Sequence, residues 1–396
     1  MKNNLIDREN TSIFQTYKRL PIVVDYAYGS RIFDKNGKSY LDFLGGIAVN
    51  ALGHCHPKTI EAIEVQIRKF MHVSNYYYQE PQIELAEKLK EMTGYDRAFF
   101  TNSGTEAIEG AMKLCRRWGS KNKKSLLVSF KGGFHGRTYG ALSLMDKPHY
   151  KDGMQPFLDG VSILEYNNTE QLEKEINEAT CAVFMEFIQG EGGVISATGQ
   201  FVSKLNELRK KFGFLIVADE IQSGVGRTGK FFGFENYDIK PDIVILAKGI
   251  GGGLPLGCIL AKESLAGVWE KGMHGTTNGG NSVACAAGLT VLKEIEDGLM
   301  DNVRINGEYL FSRLENVQKA FPEFIIEIRG KGLMCGIFLT FDAAKLMDML
   351  LENGVITNAA SGNVLRLVPP LIVGRKEIDE FIDAITDCLN EIKEAA

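Results

Sequence analysis

Gly213-Phe-Leu-Ile-Val-Ala-Asp219, with Glu220 behind it, is the stretch that decides the fold. Phe214 to Ala218 run without a polar break and then stop on two acids. A strand with one face in water alternates polar and apolar residues, whereas a strand covered on both faces does not. The run therefore predicts an interior strand of a mostly parallel sheet. The same pattern recurs on either side, in Ser125-Leu-Leu-Val-Ser-Phe130, Cys181-Ala-Val-Phe-Met185 and Pro241-Asp-Ile-Val-Ile-Leu-Ala247, with helical stretches between. The fold class is α/β.

The two ends of the chain read differently. Ser30 to Gly37 and Lys38 to Leu44 are short runs separated by Asn36-Gly37, a hairpin signal, and predict a small antiparallel lead-in. Beyond about residue 285 a helix from Val283 to about Ile295 leads to a second helix. Strand candidates follow at Phe324–Arg329, Gly336–Thr340 and Val364–Val368, and a helical stretch from Glu377 to about Glu394 closes the chain. The expected division is a large domain over 59–285 and a smaller α+β domain over 286–396, which segment 1–58 joins. A helix, not a disordered linker, marks the boundary.

Composition excludes several function classes. The 396 residues carry 45 Lys+Arg against 50 Asp+Glu, a net charge of −5, with charges interspersed, so no basic stripe offers itself to nucleic acid or to an anionic membrane. Seven cysteines lie singly, without Cys-x-x-Cys spacing, and predict reduced, mostly buried thiols. Met1 to Glu9 lacks an apolar signal core, and no run of about 18 apolar residues occurs, so a cytoplasmic location is expected. No metal site is expected either. His54-Cys-His56 reads as a turn into a helix near Lys58.

Ligands of open parallel sheets bind at the carboxyl ends of the strands, which makes the residues after each apolar run the candidates. Phe99-Phe-Thr-Asn-Ser-Gly-Thr-Glu106 enters a helix whose first N–H groups form an anion seat, although Ser103 or Thr105 as a plain helix cap accounts for it equally. Asp219 and Glu220 are strand-end acids that call for a cationic partner or a capping role. Lys248, at an apolar strand end before Gly249-Ile-Gly-Gly-Gly253, is a candidate for a depressed amine pKa. Lys131-Gly-Gly-Phe-His-Gly-Arg-Thr138 would present a flat ring and a guanidinium in a tight loop. Gly224-Val-Gly-Arg-Thr-Gly-Lys-Phe231 fits a nucleotide-binding loop only in part, because Phe231 stands where a magnesium-binding Ser or Thr belongs.

Taken together, these segments resemble the class III (fold-type I) pyridoxal-phosphate aminotransferases. The matching stretches are Ser103–Ala107, Gly133–Arg137, Met185–Gly193, Asp219–Gly229, Leu246–Gly249 and His274–Asn281, and the likeness covers nearly the whole chain. The resemblance implies a seven-stranded, mostly parallel sheet sandwiched by helices. It implies pyridoxal 5′-phosphate as cofactor, with Lys248 holding its aldehyde covalently and moving a proton, and Asp219 paired with the ring nitrogen. By the same resemblance Gln222 would bond the ring's phenolic oxygen, Phe134 would stack on the ring with His135 beside it, and Ser103, Gly104 and Thr105 would hold the phosphate. Thr277 would reach that phosphate from a second copy, making a homodimer part of the site.

The implied substrate residues are Arg137 and Arg366 as carboxylate clamps, Glu186 as the acid that neutralises Arg366, and Thr276 and Tyr17 nearby. Within the class, Leu44 to Pro57 is most similar to members acting on N2-acetylornithine, which implies amino transfer to 2-oxoglutarate in arginine biosynthesis. Ornithine, succinylornithine and 4-aminobutyrate are the alternative donors, and an inactive scaffold is the alternative from another class. Gly46 stands where ornithine enzymes tend to carry a tyrosine. Asn278 and Phe187 depart from the family pattern.

Overall fold

The computed structural model describes residues 2–395. Its central sheet has seven strands: β1 (Arg97–Thr101), β2 (Leu126–Phe130), β3 (Val161–Leu164), β4 (Thr180–Met185), β5 (Leu215–Asp219), β6 (Ile243–Leu246) and β7 (Gly257–Ala261). Their order across the sheet is β1-β7-β6-β5-β4-β2-β3. All run parallel except β7, which is antiparallel to both of its neighbours.

Both faces of this sheet are covered, which is why the strands read as continuous apolar runs. Along β5, Leu215 and Val217 pack into one cluster while Ile216 and Ala218 pack into another. The first cluster includes the apolar stripe Ala107, Ile108, Ala111, Met112 and Cys115 of the helix α1 (Gly104–Lys121). Each large side chain buried this way contributes about 1.5–3 kcal/mol.

The N-terminal strands Val24–Tyr28, Arg31–Asp34 and Ser39–Asp42 form the expected hairpin sheet, and Val355–Ile356 adds to it in parallel beside Ser39–Asp42. An antiparallel sheet of Ile325–Lys331, Met334–Leu339, Val364–Leu367 and Asn358–Ala360 follows. The closing helix Arg375–Glu394 seals the N-terminal strands, with Phe381 stacked on Phe43 at 4.7 Å. The helix Ser282–Glu294 runs unbroken through position 285.

A strained turn leads into Val49, which lines the cavity at the carboxyl ends of the strands. Gly45, Gly46, Ile47 and Ala48 form a left-handed turn with φ between 55° and 65°, a conformation that disfavours Ile and Ala by about 1–2 kcal/mol each. Asp42 anchors it, Oδ1 accepting from the N–H groups of Leu44 (3.0 Å) and Gly45 (2.8 Å), while its Oδ2 meets His54 Nε2 at 2.7 Å. Six of the seven cysteines are buried, Cys55 is exposed, and all are unpaired.

Candidate active site

The carboxyl ends of β1, β2, β4, β5 and β6 open on one cavity of about 450 Å³, within the range of small-molecule sites. Ser103 to Thr105, Phe134 to Arg137, Glu186, Glu191, Asp219, Gln222 and Lys248 line it. Strand ends far apart in sequence thus meet because parallel strands all point their termini the same way.

At the start of α1, Ser103 Oγ accepts from Glu106 N at 3.3 Å, and Glu106 Oε2 accepts from Asn102 N at 2.8 Å. The cap is therefore real, yet it consumes only part of the helix end. Among the described residues nothing accepts from the N–H groups of Gly104 and Thr105, which leaves an anion seat at the positive end of the helix dipole. Gly136 borders that seat at φ 128°, and a Cβ there would come within 2.2 Å of Thr105 Oγ1.

Asp219 is buried at the end of β5. Its Oδ1 accepts from Ile221 N at 3.1 Å, and its Oδ2 meets His135 Nδ1 at 2.7 Å. Burial pulls the His135 pKa down, but the hydrogen bond and charge of Asp219 outweigh it, so the net direction is up. The pair holds a carboxylate with one face still turned to the cavity. Glu220, by contrast, points away: it accepts from Ser223 Oγ (2.7 Å), Gly233 N (2.8 Å) and Phe234 N (2.9 Å), and burial pushes its pKa up to about 7. It is a loop anchor.

Lys248 sits just past β6 with φ 48°, unusual for a residue with a side chain. Burial first, and then the charge of Arg366, bring its amine down to about 8. Arg137 is an exposed residue of a partly buried loop and lines the cavity, its guanidinium 3.5 Å from the centroid of Tyr150 and 5.6 Å from that of Phe134.

Arg366 corrects one expectation. Its partner is Glu191, whose Oε1 accepts from Nη1 at 2.6 Å, and not Glu186. Glu186 is spent elsewhere, accepting from Phe134 N (2.8 Å) and Gly190 N (3.1 Å), with burial and the Asp219 charge raising its pKa. The turn after β4 folds back so that Glu186 braces the loop of Phe134, while Glu191, five residues on, meets the guanidinium. Burial raises the Glu191 pKa, but Arg366 outweighs it and the net direction is down. Gln222 Oε1 also accepts from Arg366 Nη1 at 3.3 Å, and Asn358 Oδ1 accepts from Nε (3.0 Å) and Nη2 (2.6 Å). Asn358 and Arg366 are direct partners in an antiparallel register, which no linear motif encodes.

Three other expected residues lie outside the cavity. Tyr17 is 73% exposed, its ring under the Arg19 guanidinium at 5.5 Å, on a stretch from residue 13 to 19 that is exposed throughout. Thr277 is exposed, and Thr276 touches the cavity only through Asn102, whose Nδ2 donates to its Oγ1 at 3.3 Å. Phe187 is buried against Phe234 and Tyr237, and Asn278 is exposed.

The family model for class III aminotransferases matches residues 13–389. The acetylornithine aminotransferase of Caldanaerobacter subterraneus subsp. tengcongensis is 44% identical over 98% of this chain and 100% of its own length. That of Methanocaldococcus jannaschii is 43% identical over 99% of both. Among solved structures, an ornithine aminotransferase from Toxoplasma gondii superposes with a TM-score of 0.96 at 28% identity, over 100% of this chain and 95% of that one, and holds pyridoxal phosphate at partial occupancy in its active site. The acetylornithine aminotransferase of Elizabethkingia anophelis gives 0.89 at 32% identity, over 98% and 99% of the two chains. Matched by the family model over residues 13–389 and by these relatives over nearly its whole length, the chain belongs to the class III aminotransferases, enzymes that work with pyridoxal phosphate.

Proposed function

We propose that this aminotransferase moves the δ-amino group of N2-acetylornithine to 2-oxoglutarate, giving N-acetylglutamate 5-semialdehyde and glutamate, a step of arginine biosynthesis in the cytoplasm. One observation carries the pairing of a donor that has a single carboxylate with glutamate: Arg137 lines the cavity, whereas Arg366 lies behind the lining residues Glu191 and Gln222 and is masked by Glu191, and the likeness to acetylornithine aminotransferases favours N2-acetylornithine among such donors. A donor with one carboxylate at its far end needs only Arg137. Glutamate brings a second carboxylate, which takes Arg366 once Glu191 releases it. Unmasked and alone, a buried guanidinium would be costly, so the acid keeps the site competent for both substrates.

The residues present suit pyridoxal phosphate. The free N–H groups of Gly104 and Thr105, with the Ser103 turn, would take the phosphate. Asp219, steadied by His135, would face the ring nitrogen, Phe134 the ring and Gln222 its phenolic oxygen. When bound, the cofactor supplies an aldehyde that takes up the amino group and a ring that accepts electrons. Lys248 Nζ would hold that aldehyde between turnovers and would otherwise carry the proton leaving the carbon that bears the amino group. Asp219 would keep the ring nitrogen protonated.

The same reading makes the enzyme a homodimer. Thr277 and Thr276 would complete the neighbouring cavity, and exposed Tyr76, Tyr77, Tyr78 and Phe14 supply apolar surface that a second copy would cover. It also divides the chain at 58 and 285, a reading that the pairing of Ser39–Asp42 with Val355–Ile356 supports.

A panel of N2-acetylornithine, ornithine, N2-succinylornithine and 4-aminobutyrate at saturating 2-oxoglutarate tests the substrate. N2-acetylornithine should give the highest kcat/KM, and a preference for free ornithine would overturn the choice. Glu191→Gln should shift the ratio of kcat/KM values toward glutamate and away from N2-acetylornithine by about tenfold, or ~1.4 kcal/mol. Equal change in both half-reactions would remove Glu191 from the switch.

The Lys248 amine gives a pH prediction. Only the neutral form attacks an aldehyde, so covalent capture of pyridoxal phosphate by cofactor-free enzyme should rise about tenfold per pH unit up to about 8 and flatten above it. A rate still climbing at pH 10 would place the amine at its ordinary value.

A further inference from the structure

Arg137 and Arg366 are held in opposite ways. Arg366 is oriented through its edge, its N–H groups donating to Glu191 Oε1 (2.6 Å), Gln222 Oε1 (3.3 Å) and Asn358 Oδ1 (3.0 and 2.6 Å). Arg137 lines the cavity without a carboxylate partner among the described residues, and its position is set by its face, with Cζ 3.5 Å from the centroid of the Tyr150 ring. That separation is van der Waals contact between two flat groups. The guanidinium therefore lies on the ring instead of pointing into it, and its N–H groups are directed outward around the rim of the contact. A stacked guanidinium spends no donor on its support.

Tyr150 reaches this position from behind the cavity lining. It belongs to a single helical turn, Pro148–Lys151, with Pro148 at the first position, and it is half-buried. This segment is fastened to the loop that carries Arg137. Asp146 Oδ1 accepts from Gly132 N at 3.0 Å, Met145 Sδ accepts from His135 N at 3.3 Å, and the Tyr150 ring meets the Phe134 ring edge-on, with centroids 6.3 Å apart and planes at 88°. Lys151 ties the turn back, its Nζ donating to Met145 O at 3.0 Å. Ring and guanidinium are thus held in register by bonds that neither of them makes.

A long arginine side chain has rotamer freedom that a carboxylate clamp must give up when its ligand arrives. Laid on Tyr150 beforehand, Arg137 gives up less of it on binding and presents parallel N–H groups of the kind that a carboxylate accepts from in pairs. We propose that Tyr150 is a positioning residue for amine donors that carry a carboxylate: its ring face holds the Arg137 guanidinium flat with the donors free. This rests on the reading of Arg137 as a carboxylate clamp and names the group that aims it.

The test is the single-turnover reaction of holoenzyme with the donor preferred in the substrate panel, followed by the cofactor absorbance band without 2-oxoglutarate. Tyr150→Leu, which keeps apolar bulk and loses the flat face, should raise the half-saturating donor concentration about tenfold and leave the limiting rate within about twofold of the parent. Tyr150→Phe, which keeps the face, should stay within about twofold of the parent in both. Arg137→Met should raise half-saturation at least about a hundredfold. If Arg137→Met is impaired and Tyr150→Leu binds the donor like the parent, the clamp stands and Tyr150 has no part in it. A parent-like Arg137→Met would refute the clamp and the proposal together. Tyr150→Leu lowering the limiting rate or bleaching the cofactor band with half-saturation unchanged would assign the ring to the cofactor side through Phe134, and a Tyr150→Phe as impaired as Tyr150→Leu would assign the effect to the hydroxyl; either result would overturn the proposal.

Discussion

Replacing Lys248 by alanine is expected to lower kcat with N2-acetylornithine and 2-oxoglutarate by at least about 10⁴-fold, the upper range for loss of a positioned proton carrier. On the proposed role of Lys248 two functions would be lost together, the covalent hold on the cofactor and the proton relay at the reacting carbon. No neighbour can take over, because among the described residues no other lysine lines the cavity. Borohydride treatment of the parent enzyme, followed by peptide mapping, should place the label on Lys248 and nowhere else. A variant within tenfold of the parent, or a label on another lysine, would refute the assignment.

Asp219→Asn is expected to cost about 10³-fold in kcat while leaving cofactor content within a few-fold of the parent. The amide keeps the shape and the hydrogen bond to Ile221 N but gives up the charge proposed to hold a proton on the ring nitrogen. The same substitution should reverse the sign at His135. Burial alone lowers an imidazole pKa, and only Asp219 and Glu186 raise it, so removing the nearer charge should drop His135 below its ordinary value. The ring resonances of His135 followed by NMR across pH would read this directly. An unchanged kcat, or a His135 that still titrates high, would show that the carboxylate does not govern the site.

What the linear chain revealed follows from where its information is local. Asp219 and Lys248 stand immediately after runs that only a doubly covered strand explains, so their meeting at one sheet edge was legible before any coordinates. Ser103 was legible too, because a capped helix start and an anion seat use different N–H groups of the same turn. Glu191 was not. Glu186 and Glu191 flank one glycine-bearing turn, and which acid meets Arg366 depends on how that turn folds back, information held by Phe134 N and Gly190 N rather than by spacing. Asn358 was hidden for a like reason, since strand register across eight residues decides it. The reversed direction of β7 also escaped, because an apolar run such as Gly257 to Ala261 carries no sign of its orientation. Tyr17 fell on a surface stretch whose path no periodicity reports.

The left-handed backbone at position 248 sets heat resistance against turnover. A side chain there costs about 1–2 kcal/mol that glycine would not, and a buried ammonium adds to the burden. Selection for a sturdier scaffold, blind to turnover, would therefore drift toward glycine at a position where, on the proposed role of Lys248, glycine would make the enzyme useless.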